Sequence, residues 1–206
     1  SAVYASGLTG KLVITGCTFD TFDWDAIQTT PQADAKIEIT GNTFEYTGTP
    51  SGNNRRYVHI QSAENVDFSA KVTGHSFLNN DQLKMSALEV YDFSNDNKID
   101  LNGNYFNSPA KVCILTRGWK VATDVLKNMK VKKTPQGEEV NLAAYIKINN
   151  YDLRICTSLN EVSSALSSGQ TIYLLNDVNI SEPLTITVSS SYLRLNGNTI
   201  NNTGTT

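Results

Sequence analysis

The chain has 206 residues, a net charge of -3 and a pI of about 5.4, with two histidines and three cysteines. No apolar run approaches the roughly 20 residues that a transmembrane helix needs, so no membrane insertion is expected. An acidic chain has no global positive field to attract nucleic acid. Asn, Thr and Ser make up about 30% of the residues, while charged residues are only 18%.

Five segments of the chain share one pattern around a glycine. The residues four and two before the glycine are apolar and the one between them is mostly charged, which is typical of a half-buried strand. The third residue after the glycine is Phe or Ile. The segments are 11–19, 36–44, 69–77, 98–106 and 192–200, and short apolar strands are predicted at 3–5, 27–29, 58–60, 88–90 and 112–114.

The first four glycines recur at intervals of 25, 33 and 29 residues. Short units of this kind bury their apolar faces against their neighbours, so the repeat predicts a parallel solenoid. The residue after the glycine is Cys17, Asn42, His75, Asn104 or Asn198. Asn at this position predicts a ladder of hydrogen bonds between stacked turns, in which His75 makes the same hydrogen bond as Asn.

The Gly-Asn-Thr-Phe turns, the irregular units and the Asn ladder resemble the right-handed parallel β-helix of the pectin-lyase-like superfamily. The resemblance covers 1–117 and 157–206. It implies an all-β solenoid with coils of about 25–33 residues and one short amphipathic capping helix. It also implies a bacterial protein that is secreted or located at the cell surface. A β-sandwich of short strands is the alternative architecture.

The segment 118–156 connects these two parts and is basic, with seven Lys or Arg against four acidic residues, a net of +3. The turn at Pro135–Gly137 lies between two apolar stretches and predicts a β-hairpin. Lysines in such a segment often protect the edge of a strand. The alternative interpretation is that these lysines are attracted to the acidic body of the chain or to an anionic glycan.

The segment 157–206 predicts a helix over 158–168, followed by strands at 171–175 and 184–188. Ser158 and Glu161 form a capping box, and Leu159, Val162 and Leu166 share one face. A helix of this kind covers the start of the β-helices that the chain resembles. We therefore expect this segment to stack on the end that carries residue 1, as in a circular permutation, or to open a tandem domain. A third possibility is the same contact between molecules, which gives head-to-tail self-association.

One group of polar and aromatic residues predicts a ligand-binding face. Strand alternation places Gln28, His59 and Glu89 in one outward column, with His59 and Glu89 close enough for a hydrogen bond. Aromatic and guanidinium groups suit a sugar ring and its hydroxyls or carboxylate. The candidate glycan face comprises Gln28, Arg55, Arg56, Tyr57, His59, Glu89 and Tyr91. An ordinary polar ladder on a solvated sheet is the alternative interpretation.

The residues favour binding over catalysis. Enzymes of the resembled fold use clustered or paired aspartates, but Asp23 and Asp25 are two residues apart and are interpreted as loop residues. No group is predicted to orient His59, and no metal or cofactor is predicted. We expect a non-catalytic surface or secreted module, an adhesin-like stalk or a glycan-binding unit. The alternative is a polysaccharide lyase or glycoside hydrolase that acts on an acidic polysaccharide.

Overall fold

The computed structural model describes residues 1–22, 24–47, 56–62, 66–79, 86–94 and 98–204. This part of the chain is all-β, with short strands and two helices. Most strands lie in parallel sheets, an arrangement consistent with a β-helix-like solenoid. The first fifteen strands comprise β1 (Val3–Leu8), β2 (Lys11–Thr15), β3 (Thr18–Asp20), β4 (Asp25–Pro31), β5 (Lys36–Thr40), β6 (Thr43–Glu45), β7 (Arg56–Gln61), β8 (Ser69–Thr73), β9 (Ser76–Leu78), β10 (Leu88–Phe93), β11 (Lys98–Asp100), β12 (Asn104–Phe106), β13 (Lys111–Thr116), β14 (Lys120–Val121) and β15 (Lys130–Lys132).

Each repeat contributes one strand to each of three sheets. A large sheet contains β1, β4, β7, β10 and β13 in that order, a second sheet contains β2, β5, β8 and β11, and a third contains β3, β6, β9, β12 and β15. Lys11 pairs with Lys36, Lys36 with Ser69, and Ser69 with Lys98, which is the register predicted from the glycine alignment. The pattern of short apolar strands therefore stacks as the sequence predicts.

The repeated glycine is required by its backbone. Gly74 has φ of +70° and Gly103 has φ of +71°, in the left-handed region that side chains rarely adopt. A Cβ at Gly103 would also lie 2.9 Å from a carboxylate oxygen of Glu139. These turns therefore tolerate glycine far better than any other residue.

The predicted Asn ladder is present beside these glycines. Asn42 Oδ1 accepts a hydrogen bond from Cys17 N at 2.8 Å, and Asn104 Oδ1 accepts one from His75 N at 3.0 Å. His75 takes the same role, because its Nδ1 lies 2.9 Å from Asn42 N and its Nε2 lies 2.9 Å from Ile39 O. Cys17 ends the ladder, and its thiol is exposed.

The phenylalanines that follow the glycines form a stack of rings. The ring centroids of Phe19 and Phe44 are 5.0 Å apart, those of Phe44 and Phe77 are 5.1 Å apart, and those of Phe77 and Phe106 are 4.8 Å apart. All three pairs are nearly parallel, and Phe44 and Phe77 are fully buried. The ring stack is therefore a continuous element of the main hydrophobic core.

The connecting segment is ordered. It begins with β14 and a short helix, α1 (Thr123–Asn128), and then β15 pairs antiparallel with β16 (Glu139–Asn141). This pair is the predicted hairpin around Pro135–Gly137. A second antiparallel pair follows, formed by β17 (Ala144–Lys147) and β18 (Leu153–Cys156), and β18 also pairs antiparallel with β13.

The described residues from 157 to 204 contain one helix and four short strands. Helix α2 begins after Ser158, whose hydroxyl accepts from Glu161 N at 3.2 Å, while the Glu161 carboxylate accepts from Thr157 N at 2.6 Å. The helix ends at Ala165, earlier than predicted, and no strand forms at 184–188. The elements are α2 (Leu159–Ala165), β19 (Thr171–Leu174), β20 (Val178–Ile180), β21 (Tyr192–Arg194) and β22 (Ile200–Asn202).

The order of the large sheet corrects one expectation. After β13 the sheet continues through β18, β17, β19 and β21, so β1 and β21 lie at opposite edges. The predicted stacking of segment 157–206 on the residue-1 end of the same chain is therefore wrong. The antiparallel pairs at β18 and β17 also make β21 run antiparallel to β1. Molecules stacked end to end along this sheet would thus pair β21 with β1 antiparallel.

The hydrophobic core changes faces of the large sheet at β17 and β18. Tyr145, Leu153 and Ile155 belong to the main core, whereas Ala144 and Ile146 belong to a second core on the other face. The second core also includes the apolar side of α2 and the inner residues of β19. The C-terminal segment therefore has a core of its own while it shares the sheet with the body.

Candidate functional site

The column of outward residues on the large sheet has the predicted register. Gln28 pairs with His59, His59 pairs with Glu89, and Glu89 pairs with Cys113. His59 and Glu89 are each only 5% exposed, so this face is covered rather than solvated. The Gln28 amide is more exposed and accepts a hydrogen bond from the Ser1 hydroxyl at 3.1 Å.

An irregularity at the start of β7 turns Tyr57 away from the outward face of the sheet. The backbone N–H groups of Tyr57 and Val58 both donate to Ala87 O, at 2.9 and 3.2 Å, as in a β-bulge. Tyr57 is consequently buried in the core, where its ring stacks on Phe77 and its hydroxyl donates to Leu78 O. The prediction that Tyr57 contacts a glycan is therefore wrong. Arg55 lies outside the described residues.

Arg56 joins two buried carboxylates. Its Nη1 lies 3.2 Å from Asp25 Oδ1, and its Nε lies 2.6 Å from Glu89 Oε2. The Nε–H is not aligned with the Glu89 oxygen, so this contact is an ion pair rather than a straight hydrogen bond. Burial raises the pKa of Glu89 even though Arg56 opposes the effect. Burial likewise disfavours the charge of Arg56, but Glu89 and Asp25 outweigh it and raise the Arg56 pKa.

Asp25 also holds His59. The Nδ1 of His59 lies 3.0 Å from Asp25 Oδ2, and its Nε2 lies 3.0 Å from the Tyr91 hydroxyl, which donates to Gln61 Oε1 at 2.9 Å. The predicted hydrogen bond between His59 and Glu89 is replaced by these contacts. Asp25 is 2% exposed at the first position of β4, so its interpretation as a loop residue is wrong. Asp23 lies outside the described residues.

These side chains form what we call the polar cluster: Asp25, Arg56, His59, Gln61, Glu89 and Tyr91. Burial and the Glu89 charge raise the pKa of Tyr91 to about 12, and the same two causes raise that of the neighbouring Cys113 thiol far above its usual range. Tyr91 therefore stays protonated, and Cys113 is not a nucleophile at neutral pH. The cluster binds the ends of neighbouring strands together and keeps two carboxylates next to one guanidinium.

Two exposed aromatic side chains lie on top of the polar cluster. Trp119 stacks on Tyr91 with ring centroids 5.4 Å apart, and Tyr151 meets Trp119 edge to face at 5.2 Å. Trp119 and Tyr151 are each 50% exposed. We call Trp119 and Tyr151, with Tyr91 beneath them, the aromatic face.

The backbone holds Trp119 and Tyr151 in place. Trp119 follows Gly118 in the turn between β13 and β14. Both residues have positive φ, +61° for Trp119 and +73° for Gly118. A bulky residue in this conformation costs about 1–2 kcal/mol. On the other side, Asn149 Oδ1 accepts from Tyr151 N and Asp152 N, both at 2.8 Å. Asp152 in turn accepts from the Ser86 hydroxyl at 2.9 Å, which ties the loop to the segment just before β10.

Sequence reasoning missed Asp25, Trp119 and Tyr151. The signal for Trp119 was available, since a tryptophan directly after a glycine in a hairpin turn is a poor choice for the turn alone. A further exposed tryptophan, Trp24, precedes Asp25 and is 58% exposed. Across the described ranges, no group of three or more His, Cys, Asp or Glu side chains could hold a metal ion. In the same ranges, no helix is long and apolar enough to span a membrane.

Comparisons with known proteins return no relative. The chain matches no protein-family model, no curated protein and no solved structure.

Proposed function

We propose that the chain is a non-catalytic, glycan-binding module of a bacterial secreted or surface protein, with an adhesin-like role. The observation that carries the proposal is the aromatic face. Flat, exposed apolar rings rimmed by polar groups are typical of binding surfaces. Trp119 also adopts a strained backbone conformation that glycine or asparagine would fit better, and such strain is typical of functional sites. The polar cluster beneath supplies a rigid base for these rings.

The proposed scaffold is a right-handed parallel β-helix of the pectin-lyase-like type. Support comes from the three sheets with one strand per repeat, the left-handed glycine turns, the Asn ladder and the ring stack. Helix α2, which packs Leu159 and Val162 into the second core, suits the role of a cap at the start of a tandem second solenoid.

The test compares the binding of polysaccharides by the whole chain and by two variants. Trp119→Asn removes the ring and leaves a residue that accepts positive φ, so the melting temperature should change little while affinity falls at least tenfold. Tyr192→Ala is the matched control, because Tyr192 is 62% exposed at the far edge of the same sheet. Affinity electrophoresis in neutral and acidic polysaccharides gives the measurement. Wild-type affinity in Trp119→Asn, or no binding by the wild-type chain across the panel, would refute the proposal.

The alternative function is a polysaccharide lyase or glycoside hydrolase. One observation favours it: Asp25 orients His59, and Arg56 lies between two carboxylates, so the polar cluster contains groups that acid–base catalysis uses. Their mutual pairing and burial favour a binding module instead. Incubation with the same panel, followed by assays for reducing ends and unsaturated products, separates the two. Product formation that is lost in His59→Ala, with the fold retained, would establish the enzyme.

A further inference from the structure

A second candidate site lies away from the aromatic face, where the ring stack ends. A cleft of about 490 Å³ opens between the end of β12, the hairpin of β15 and β16, and the start of α2. This volume is within the range of small-molecule sites. Phe106, Lys132 and Lys133 line the cleft, and Val131 and Ile155 from the main core form part of its wall.

The stack stops at Phe106 because the next strand offers no ring. Asn104 pairs with Val131 and Tyr105 with Lys132, so one further step in the register places Lys133 opposite Phe106. Lys133 is exposed, and Phe106 is only half-buried. One side of the Phe106 ring is stacked on Phe77, which leaves its other side to line the cleft.

The charged side chains that line the cleft are Lys132, Lys133 and Glu161. Lys132 has no carboxylate within ion-pair distance in the described part of the chain, and Lys133 has only the exposed Glu138 carboxylate, at 3.7 Å. Glu161 also lines the cleft, but its two oxygens accept from the N–H and hydroxyl of Thr157 at 2.6 and 2.8 Å. The Lys132 ammonium group is therefore available to an anion.

We propose that this cleft binds an aromatic ring that carries a carboxylate, and that this ring continues the stack beyond Phe106. Neighbouring rings in the stack are about 5 Å apart and nearly parallel, which is the geometry a planar ligand would adopt on Phe106. The carboxylate pairs with Lys132, since Lys133 is exposed and already faces Glu138. The proposal does not depend on glycan binding at the aromatic face.

The experiment measures the binding of four probes to the whole chain by titration calorimetry. The first is 3-phenylpropanoate, which has both the ring and the carboxylate. In 3-cyclohexylpropanoate the charge is kept but the ring is not aromatic. In 3-phenylpropanol the aromatic ring is kept but the charge is absent, and galacturonate has the charge but no aromatic ring. We expect 3-phenylpropanoate to bind at least fivefold more tightly than each of the other three. A dipeptide with phenylalanine at its C-terminus also carries an aromatic ring and a carboxylate. Comparing its affinity with that of 3-phenylpropanoate distinguishes a peptide ligand from a free aromatic acid.

Three variants localise the binding. Phe106→Leu keeps an apolar side chain against Phe77 but removes the platform, and we expect about a five- to tenfold loss of affinity. Lys132→Gln should weaken binding by a similar factor and leaves the core untouched, so it remains informative if Phe106→Leu does not fold. Lys98→Gln, on β11, is the control. No detectable binding of 3-phenylpropanoate, equal affinity in Lys132→Gln, or tighter binding of galacturonate would overturn the proposal.

Discussion

Acid sensitivity should come from His75, the one histidine of the Asn ladder. Its Nδ1 accepts from Asn42 N and its Nε2 donates to Ile39 O, so only the neutral ring fits both partners. Burial lowers the pKa of His75 to about 4. In the unfolded chain the pKa is about 6.5. Above pH 6.5 both states are neutral, and His75 contributes no pH dependence.

Between pH 6.5 and 4 the unfolded chain binds a proton that the folded chain excludes, so stability falls with decreasing pH. The slope approaches about 1.4 kcal/mol per pH unit, and the total loss is about 3 kcal/mol over this window. The variant His75→Asn introduces the asparagine that neighbouring repeats carry at this ladder position. Its Oδ1 accepts and its Nδ2 donates a hydrogen bond, as Nδ1 and Nε2 of His75 do. Urea unfolding of both proteins from pH 7.5 to 4 measures the difference. Parallel stability curves would refute the reasoning, because His75 would then titrate alike in both states.

Two further substitutions test the core and the polar cluster. Phe77→Ala removes a fully buried ring from the middle of the ring stack, and the free energy of unfolding in urea should fall by about 3–5 kcal/mol; a change below about 1 kcal/mol would contradict the stack. Asp25→Ala removes one buried carboxylate from between Arg56 and His59 and should cost about 3–5 kcal/mol. The control is the double variant Thr18→Ala with Lys36→Ala, in which both replaced side chains are exposed. Its free energy of unfolding in the same urea series should stay nearly unchanged.

The parts of the fold that the sequence predicted are those that recur. The glycine turns, the ladder of Asn42, His75 and Asn104, and the ring stack each depend on one position repeated in successive units. Such positions specify their own register, since shifting a strand by one residue would exchange its buried and exposed faces. The strand order from β1 to β13 followed from the same repetition.

The misses involve contacts that the repeat does not encode. Tyr57 turns inward because of a bulge shared with Ala87, and no local pattern marks that bulge. Asp25 is buried because Arg56 and His59 reach it from the next strand. The position of segment 157–206 was missed because the antiparallel pair β17 and β18 lies in a part of the chain without the repeat, and it reverses the strand direction there.

The change of core face across β17 and β18 has a mechanical consequence. Two modules joined by a flexible linker swing freely, and relative motion is the usual expectation for neighbouring domains. Here the two cores lie on opposite faces of one hydrogen-bonded sheet. Rotation of one core against the other requires breaking the β13–β18 or β17–β18 pairing. The junction between the two cores is therefore rigid. Tension applied at the two ends of the chain would therefore be borne by strand pairing rather than by extension of a tether.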